Sequence, residues 1–457
     1  MQRSLSVSSL LGAVAVVAAS PRAAFHTLVP SVTGGIRQHV GWGRHGLGGA
    51  GAPASLGVLK GSPLGRSARG SGRALHASMV LHQAKVEEIN AQLLADDPMS
   101  KGGEEDPKIN LYSLGPEDLE GMVVGWGEPK FRAKQIQEWL YEKGAADFDA
   151  MSNLSKKLRE RLKAETTLGT LRVASEQVSK DGTRKLAYEL HDGQLIESVL
   201  MPYDDGRRTA CISSQAGCAM GCVFCATGQM GFARQLTSSE IFEQVMRFHV
   251  QLAQKGERLS NVVLMGMGEP LANYKNVLAA IRRMNTEIGI GARHITVSTV
   301  GLVPRIERLS KEGLQIKLAV SLHAANDAER DAIMPVNVRF PLSELMSTCK
   351  KYVAETGRKI TFEWALIAGK NDTPEVAHEL GKLLNGLMCH VNLIPLNPTD
   401  GYGGKPTRPA EVKAFVDVLA KYGITATPRV RRGIDIDAGC GQLKQKVNRA
   451  LGRGGAP

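Results

Sequence analysis

Two hydrophobic patterns alternate along the second half of the chain. From residue 172 onward, short apolar runs that predict buried strands lie at 209–214, 261–266, 294–299, 317–321, 359–367 and 390–395. Segments with helical periodicity separate these runs. In one of them a Thr-Ser-Ser-Glu capping box at 237–240 precedes four apolar residues on one helix face: Ile241, Val245, Phe248 and Leu252. Six strand–helix units predict an α/β fold with a parallel sheet, open or curled into a barrel, and functional residues at the carboxyl ends of its strands.

The pattern is different on the amino-terminal side of this region. Residues 108–168 lack clear strand patterns and predict a small all-helical accessory domain, preceded by a polar linker at 85–107. One helical segment carries five basic side chains: Lys156, Lys157, Arg159, Arg161 and Lys163. This basic face is either a surface that docks RNA or an ordinary solvated helix surface, and charge alone does not separate the two.

Residues 1–84 have the pattern of a disordered targeting leader. The apolar run at 10–19 is typical of a signal peptide and is too short to span a bilayer. Residues 21–84 contain no carboxylate and are rich in Gly, Ala, Ser and Arg, which is typical of transit peptides. The leader therefore predicts import into the plastid stroma, with the mitochondrion as the alternative. No later apolar run is long enough to predict a membrane-spanning helix, so no membrane partner is expected.

The net positive charge is distributed unevenly along the chain, and this distribution changes what it indicates. The 457 residues suggest two or three domains, and 43% hydrophobic with 22% charged residues excludes wholly disordered, fibrous and multi-spanning classes. The charge of +12 is typical of a polyanion-binding protein, but nine basic residues precede Glu87, the first acidic residue. The remaining positions carry only +3, so RNA-facing charge must be local. The best candidates after the leader are Arg429, Arg431 and Arg432.

Three of the seven cysteines are spaced in a pattern that can hold one inorganic cluster. Cys218, Cys222 and Cys225 follow the first parallel strand as C-x-x-x-C-x-x-C, with glycines at 217, 221 and 228 that allow the backbone to wrap closely. A structural zinc is the alternative, but zinc prefers four protein ligands and no fourth one follows nearby. A four-iron cluster held by three thiolates leaves one iron open to a cofactor, which suits this triplet better.

Longer motifs extend this pattern to a family resemblance. The chain contains CISSQAGC at 211–218, MGMGEPLAN at 265–273, SLHAANDAERD at 321–331, NLIPLNP at 392–398 and DIDAGCGQL at 435–443. Together with KINLYSL at 108–114 and KFRAKQIQEWLY at 130–141, these motifs closely resemble the RlmN family of radical S-adenosylmethionine ribosomal-RNA adenine C2-methyltransferases. The resemblance covers residues 108–446. It implies a radical-SAM partial (βα)6 barrel at 172–435, a helical RNA-docking domain at 108–168 and a C-terminal segment at 436–457.

The resemblance also implies a reaction and the residues that perform it. Carbon 2 of adenine is not nucleophilic, so a 4Fe-4S cluster on Cys218, Cys222 and Cys225 would cleave S-adenosylmethionine to start radical chemistry. Two cofactor molecules would be used per turnover, one of them to methylate Cys440. The methylated Cys440 would form a covalent adduct with the RNA.

Two further residues complete the reaction that the resemblance implies. Cys211 would release the adduct by forming a disulfide with Cys440, while Glu197 accepts the C2 proton. Taken alone, Cys211 predicts an ordinary buried strand cysteine and Glu197 a surface carboxylate. The separation of these two residues is one longer than in the family, which leaves the register of Glu197 open.

Cofactor contacts are implied at the ends of successive strands. The matching positions are Gly268, Glu269, Ser298, Ser321, Leu322, His323 and Asn397. Taken individually, Ser298 and Ser321 predict residues that cap strand ends, and His323 predicts a hydrogen-bonded loop residue. Taken as a set at successive strand ends, the seven positions favour a cofactor site. Cys349 and Cys389 lie in helical patterns and predict core positions.

The implied partners are ribosomal RNA, in some members also transfer RNA, and an electron donor such as ferredoxin or flavodoxin. Two rivals to this interpretation remain. A related enzyme methylates carbon 8 of adenine and shares the cysteine pair. A protein of another class, a non-catalytic RNA-binding protein with a structural zinc, would use the cysteines without redox chemistry.

Overall fold

The computed structural model describes residues 108–444, and all of these belong to one compact unit. The leader predicted at 1–84, the linker predicted at 85–107 and the final part of the C-terminal segment lie outside the described residues. In chain order the strands are β1 Ile109–Asn110, β2 Thr166–Thr167, β3 Arg172–Val178, β4 Arg184–Glu189, β5 Leu195–Pro202, β6 Arg208–Cys211, β7 Gln215–Gly217, β8 Phe232–Gln235, β9 Asn261–Leu264, β10 Ile295–Thr299, β11 Lys317–Ser321, β12 Ile360–Leu366, β13 Cys389–Pro395 and β14 Ala426–Pro428.

The α-helices connect and cover these strands. In chain order they are α1 Pro116–Gly125, α2 Phe131–Glu138, α3 Lys156–Glu165, α4 Ala226–Met230, α5 Ser238–Ala253, α6 Tyr274–Thr286, α7 Val303–Leu309, α8 Asp327–Ile333, α9 Leu342–Thr356, α10 Pro374–Leu384 and α11 Pro409–Ala420. A π-helical turn, Trp139–Lys143, continues α2. None of the helices within 108–444 is long and apolar enough to cross a bilayer.

Ten strands form one sheet in the order β14-β13-β12-β11-β10-β9-β6-β5-β4-β3. The strands from β6 through β14 in this sheet run parallel, which confirms the predicted class of fold. The structure adds β14 and an antiparallel extension, β3–β5, which the sequence pattern did not predict. Tight turns join β3–β5, so the strand–helix spacing that marks parallel units is missing there.

Helix α5 shows how the sequence specifies one of these units. The Thr237 hydroxyl accepts a hydrogen bond from the Glu240 amide at 3.2 Å, and the Glu240 carboxylate accepts one from the Thr237 amide at 2.8 Å. This reciprocal cap satisfies two amides that the helix leaves unpaired at its start. The predicted apolar face that follows is buried, with Phe248 at 0% exposure. The capping box and the amphipathic pattern are therefore confirmed.

The accessory domain consists of α1–α3 and is closed by a two-residue parallel pair between β1 and β2, a small departure from the all-helical prediction. Its basic face is partly neutralised. Asp149 lies 2.8 Å from Lys163 and 4.0 Å from Arg159, and Arg161 pairs with Glu165 at 2.8 Å. Three of the five basic residues predicted there are thus engaged in ion pairs.

Candidate functional site

A large cleft opens at the carboxyl ends of the parallel strands, where the topology predicts chemistry. It encloses about 1010 Å³ including its opening, which is the size expected for a cofactor site. We call it the cluster cavity. Its lining includes most of the residues singled out in the sequence: Cys218, Cys222, Cys225, Gly268, Glu269, Ser298, Ser321, His323, Asn397 and Cys440.

The three spaced cysteines lie on the loop between β7 and α4, and close packing shapes this loop. Gly217 has φ +79°, and a β-carbon there would lie 2.2 Å from the Gly231 carbonyl oxygen. A β-carbon on Gly228 would lie 3.0 Å from the backbone of Cys222. Glycine is therefore required at position 217, and a side chain at position 228 would make a tight contact with the cysteine loop.

The donor set fits an iron–sulfur cluster better than a single metal ion. Within residues 108–444, no three His, Cys, Asp or Glu side chains converge tightly enough to ligate one ion. Zinc–sulfur bonds of about 2.3 Å would require such convergence, whereas each cysteine of a cluster binds a different iron. Burial raises the pKa of Cys218, Cys222 and Cys225, the second to about 12, so these thiols need bound cations to become thiolates.

Glu269 joins the ends of two strands at the floor of the cavity. Its carboxylate accepts hydrogen bonds from the Leu271 amide at 3.0 Å and the Val300 amide at 2.8 Å. Burial raises its pKa to about 7 despite these bonds. An adjacent cationic group, such as the amino group of a bound S-adenosylmethionine, would stabilise the charged form. The preceding Gly268 has φ +101°, and a β-carbon there would lie 2.5 Å from the Gln215 side chain.

The other cofactor candidates divide into cavity-lining and core residues. Ser298 and Ser321 line the cavity at the ends of β10 and β11. His323 also lines it, in the left-handed conformation with φ 61°, and its Nδ1 accepts a hydrogen bond from the Ala365 amide at 2.8 Å. Burial lowers the pKa of His323 to about 3, so the ring is neutral with its proton on Nε2. Leu322, by contrast, is fully buried and lies outside the lining.

Arg330 is a fully buried cation that the sequence interpretation did not single out. Its guanidinium donates to the carbonyls of Val300 at 2.7 Å, Ser321 at 3.1 Å and Leu322 at 3.1 Å. It thereby holds the ends of β10 and β11 together behind the cavity. Burial lowers its pKa to about 10, which still leaves it charged near neutral pH.

The C-terminal segment places Cys440 at the edge of the cluster cavity. The Gly441 carbonyl accepts a hydrogen bond from the Ala226 amide at 2.7 Å, directly after the cluster cysteines. The Asn397 amide group donates to the Cys440 carbonyl at 3.1 Å. A β-carbon on Gly439 would lie 2.6 Å from that same amide nitrogen, so a larger residue there would displace the Asn397 side chain. Asn397 therefore positions Cys440 as well as lining the cavity.

A smaller second cavity adjoins the first and contains both residues of the predicted cysteine pair. Cys211 and Cys440 line this cysteine-pair cavity, and Cys440 lines both. Burial and the neighbouring Cys440 raise the pKa of Cys211 to about 12, while Arg429 acts in the opposite direction. The structure thus brings together two thiols that are far apart in the sequence.

Arg429 has a different position from the one that the sequence suggested. We expected a surface arginine that faces RNA, but it lines both cavities, and its guanidinium lies 3.8 Å from the Met265 sulfur. Electrostatic attraction to Cys440, Glu363 and Cys211 raises its pKa. Its backbone amide bonds to the Leu393 carbonyl at 2.7 Å, which directs the side chain inward.

Glu363 is a second functional candidate that sequence reasoning missed. It lines the cluster cavity at 4% exposure and accepts a hydrogen bond from Asn392 at 2.7 Å. Burial raises the pKa of this carboxyl group. A signal for it existed, because a lone carboxylate interrupts the otherwise apolar strand β12.

Glu197 is buried on β5 and lines neither cavity. Its carboxylate accepts a hydrogen bond from the Lys444 amide at 2.9 Å and lies 3.5 Å from the Lys185 ammonium. In this structure it therefore holds the C-terminal segment. A turn at 203–207 connects β5 to β6 and lies between Glu197 and Cys211. The role of Glu197 as proton acceptor stays a prediction.

Comparison with known proteins agrees with this geometry. The family described as "Ribosomal RNA large subunit methyltransferase N-terminal domain" matches residues 109–168, and the radical SAM superfamily matches residues 212–380. A dual-specificity RNA methyltransferase RlmN 1 from Myxococcus xanthus is 52% identical over 347 residues, which is 75% of this chain and 96% of that protein. An RlmN from Anaeromyxobacter dehalogenans is 48% identical, with 74% and 92% covered.

A solved structure supports the same assignment. The crystal structure of a radical SAM methyltransferase from Sphaerobacter thermophilus superposes with a TM-score of 0.71 at 47% identity, covering 74% of this chain and 99% of that one. The fold, the cysteine triplet and the converging strand ends define a radical S-adenosylmethionine enzyme. Within that class, the chain belongs to the RlmN family of RNA methyltransferases, whose members use a 4Fe-4S cluster and S-adenosylmethionine.

Proposed function

We propose that this enzyme methylates carbon 2 of an adenosine in large-subunit ribosomal RNA and in transfer RNA. The observation that carries the proposal is the position of Cys440, which lines the cluster cavity and also faces Cys211 in the second cavity. A sulfur at this boundary can receive a methyl group on one side and be released by a second thiol on the other. The bound cluster and S-adenosylmethionine would supply the methyl group and the radical chemistry that an unreactive carbon requires.

Individual residues of the chain would bind the cluster and the cofactor, form the RNA adduct and release it. Cys218, Cys222 and Cys225 would hold the cluster, and the strand-end residues from Gly268 to Asn397 would hold the cofactor. Cys440 would carry the methyl group and then the RNA. Cys211 would attack the Cys440 sulfur as a thiolate, so that an S–S bond forms as the C–S bond to the RNA breaks. The electron pair of that bond would stay on the carbon attached to the adenine, which would take up a proton and become the methyl group. An external thiol reductant would then return the disulfide to two thiols before the next turnover. Glu197 would accept the C2 proton once its contact with the Lys444 amide opens.

The identity of the methylated nucleoside tests the proposal. Anaerobically reconstituted enzyme should be incubated with S-adenosylmethionine, a reductant and a ribosomal-RNA fragment or transfer RNA, and the digested nucleosides separated by mass spectrometry. We expect 2-methyladenosine from both RNAs. Exclusive formation of 8-methyladenosine would assign the chain to the carbon-8 reaction. A colourless, zinc-loaded and inactive protein would support the non-catalytic alternative.

We also propose an electron donor and a compartment. A small iron–sulfur or flavin protein, ferredoxin or flavodoxin, would reduce the cluster. The carboxylate-free leader supports import into the plastid stroma, with the mitochondrion as the second candidate. A fusion of residues 1–107 to a fluorescent protein should co-localise with a plastid marker, and co-localisation with a mitochondrial marker would favour the second compartment.

A further inference from the structure

Two arginines after β14 line the cysteine-pair cavity, and a third lies beside one of them. Arg431 and Arg432 follow β14 and line this cavity, whereas neither lines the cluster cavity. Arg207 is exposed on the turn between β5 and β6, where the Tyr203 amide bonds to the Arg207 carbonyl at 2.9 Å. We call Tyr203, Arg207, Arg431 and Arg432 the arginine rim.

The Tyr203 ring joins the two chain segments of the rim. The Arg207 guanidinium lies 4.5 Å from the ring centroid, and the Arg432 guanidinium lies 4.7 Å from it. Contacts of this kind contribute about 0.5–1 kcal/mol each at exposed sites, and they fix the direction of both cations. The turn and the segment after β14 therefore present their charges together.

Most of the charge of the rim is not neutralised within the protein. Arg207 pairs with Asp205 at 2.7 Å. Across residues 108–444, by contrast, no carboxylate lies within ion-pair distance of Arg431 or Arg432, and the buried Nε of Arg432 has no hydrogen-bond partner. Guanidinium groups with spare donors bind phosphate oxygens in bidentate fashion.

We propose that the arginine rim binds the phosphodiester backbone of single-stranded RNA on either side of the target adenosine. This inference rests on the proposed function. Cys211 is only 6% exposed, so an adenine can reach the cysteine pair only after it leaves its base stack. The flanking phosphates then remain at the mouth, beside the rim. Val430 is 69% exposed between the arginines and offers apolar surface to a sugar or base.

An acidic electron-donor protein is the other partner that a basic rim could attract. It is less favoured, because the cluster cysteines line the other cavity, whereas the rim adjoins the thiols that must meet the RNA base. The two partners predict different measurements. If the rim binds RNA phosphates, the affinity for RNA should depend on salt concentration. If it binds a protein electron donor, the rate of cluster reduction should depend on salt instead.

Single variants Arg207→Gln and Arg432→Gln, and the double variant, test the rim. Fluorescence anisotropy should measure binding of an RNA hairpin containing the target adenosine at several salt concentrations. We expect about three- to tenfold weaker binding per arginine, with the slope of log affinity against log salt reduced by about one for each lost phosphate contact. The KM for RNA should rise in parallel, and Arg432→Lys should restore only part of the affinity, because lysine keeps the charge but not the planar, bidentate guanidinium group.

The matched control is Arg293→Gln, because Arg293 is an exposed arginine that precedes β10, at the amino-terminal edge of the parallel strands. The RNA affinity of the Arg293→Gln variant should equal that of the parent enzyme. Cluster absorbance and the thermal midpoint verify folding. Unchanged RNA affinity and salt slope in the double variant would contradict the proposal that the arginine rim binds RNA. A selective loss of donor-dependent cluster reduction would contradict it as well. Failure of the parent enzyme to form 2-methyladenosine would instead contradict the proposed function.

Discussion

The Cys211 thiol combines deep burial with a neighbouring cation. Burial and Cys440 raise its pKa to about 12, and Arg429 opposes this rise. A thiol with so high a pKa is almost entirely protonated near neutral pH, and the thiolate is the species that attacks sulfur. The release of RNA from Cys440 should therefore accelerate with increasing pH. It should also depend on the positive charge of Arg429.

Variants of these two residues test this dependence. Cys211→Ala should leave a persistent covalent protein–RNA adduct on denaturing gels, because the releasing thiol is absent. Arg429→Gln should form the adduct but release it about tenfold more slowly, since a rise of one unit in the pKa of Cys211 reduces the thiolate fraction tenfold. Raising the pH should recover the rate, and Arg429→Lys should stay close to the parent. Equal release rates at every pH would contradict the role of Arg429.

At the scale of elements, the sequence predicted those helices and strands whose formation depends on residues close together in the chain. The capping box of α5 and the apolar runs of the parallel strands depend on nearby residues, and both are present in the structure. Strand β3 was missed because it lies at the sheet edge with a mostly exposed, polar sequence. The inward direction of Arg429 and the bond from Lys444 to Glu197 depend on pairing between distant segments, which no local pattern records.

The turn between β3 and β4 anchors the start of the C-terminal segment. The Asp181 carboxylate accepts a hydrogen bond from the Gly433 amide at 2.9 Å, and Ser179 donates to Asp435 at 2.6 Å. Burial opposes ionisation of Asp181, but the bonds from Gly433 and Thr183 outweigh it and lower its pKa to about 2. This stabilisation is present above the ordinary pKa of Asp and is lost as the pH falls through about 2.

Asp181→Asn should therefore loosen the segment that carries Cys440. We expect amide exchange at 433–444 to become about fivefold faster, the factor that corresponds to about 1 kcal/mol for one hydrogen bond. The methylated fraction of Cys440, measured by peptide mass spectrometry, should fall at constant iron content. Asp147→Asn is the control, because Asp147 accepts a comparable bond from the Ala150 amide in the accessory domain. Equal exchange rates in the two variants would contradict this anchor.

At the scale of the whole molecule, one partly buried cation joins the accessory domain to the barrel. The Arg283 guanidinium on α6 donates to the Leu114 carbonyl and the Tyr141 hydroxyl, both at 3.1 Å, and pairs with Glu287 at 2.6 Å. It also lies 4.1 Å from the centre of the Phe242 ring. The orientation of α1–α3 relative to the cysteine-pair cavity therefore depends on this contact. An RNA that touches both must match that orientation.

Arg283→Gln should separate cofactor chemistry from RNA methylation. Loss of the cation leaves Glu287 with the Tyr141 hydroxyl as a neutral partner, and domain docking should weaken by about 1.5–3 kcal/mol, the range for hydrogen bonds that involve a charged group. Limited proteolysis should then cleave near α1–α3 more readily, and 2-methyladenosine formation should fall at least tenfold while Cys440 methylation continues. The adjacent Arg282→Gln is the matched control, because Arg282 pairs with Glu312 at 2.7 Å on the barrel side. A parallel loss of both methylation steps in Arg283→Gln, or equal effects in the two variants, would show that this contact stabilises the barrel itself instead of orienting the accessory domain.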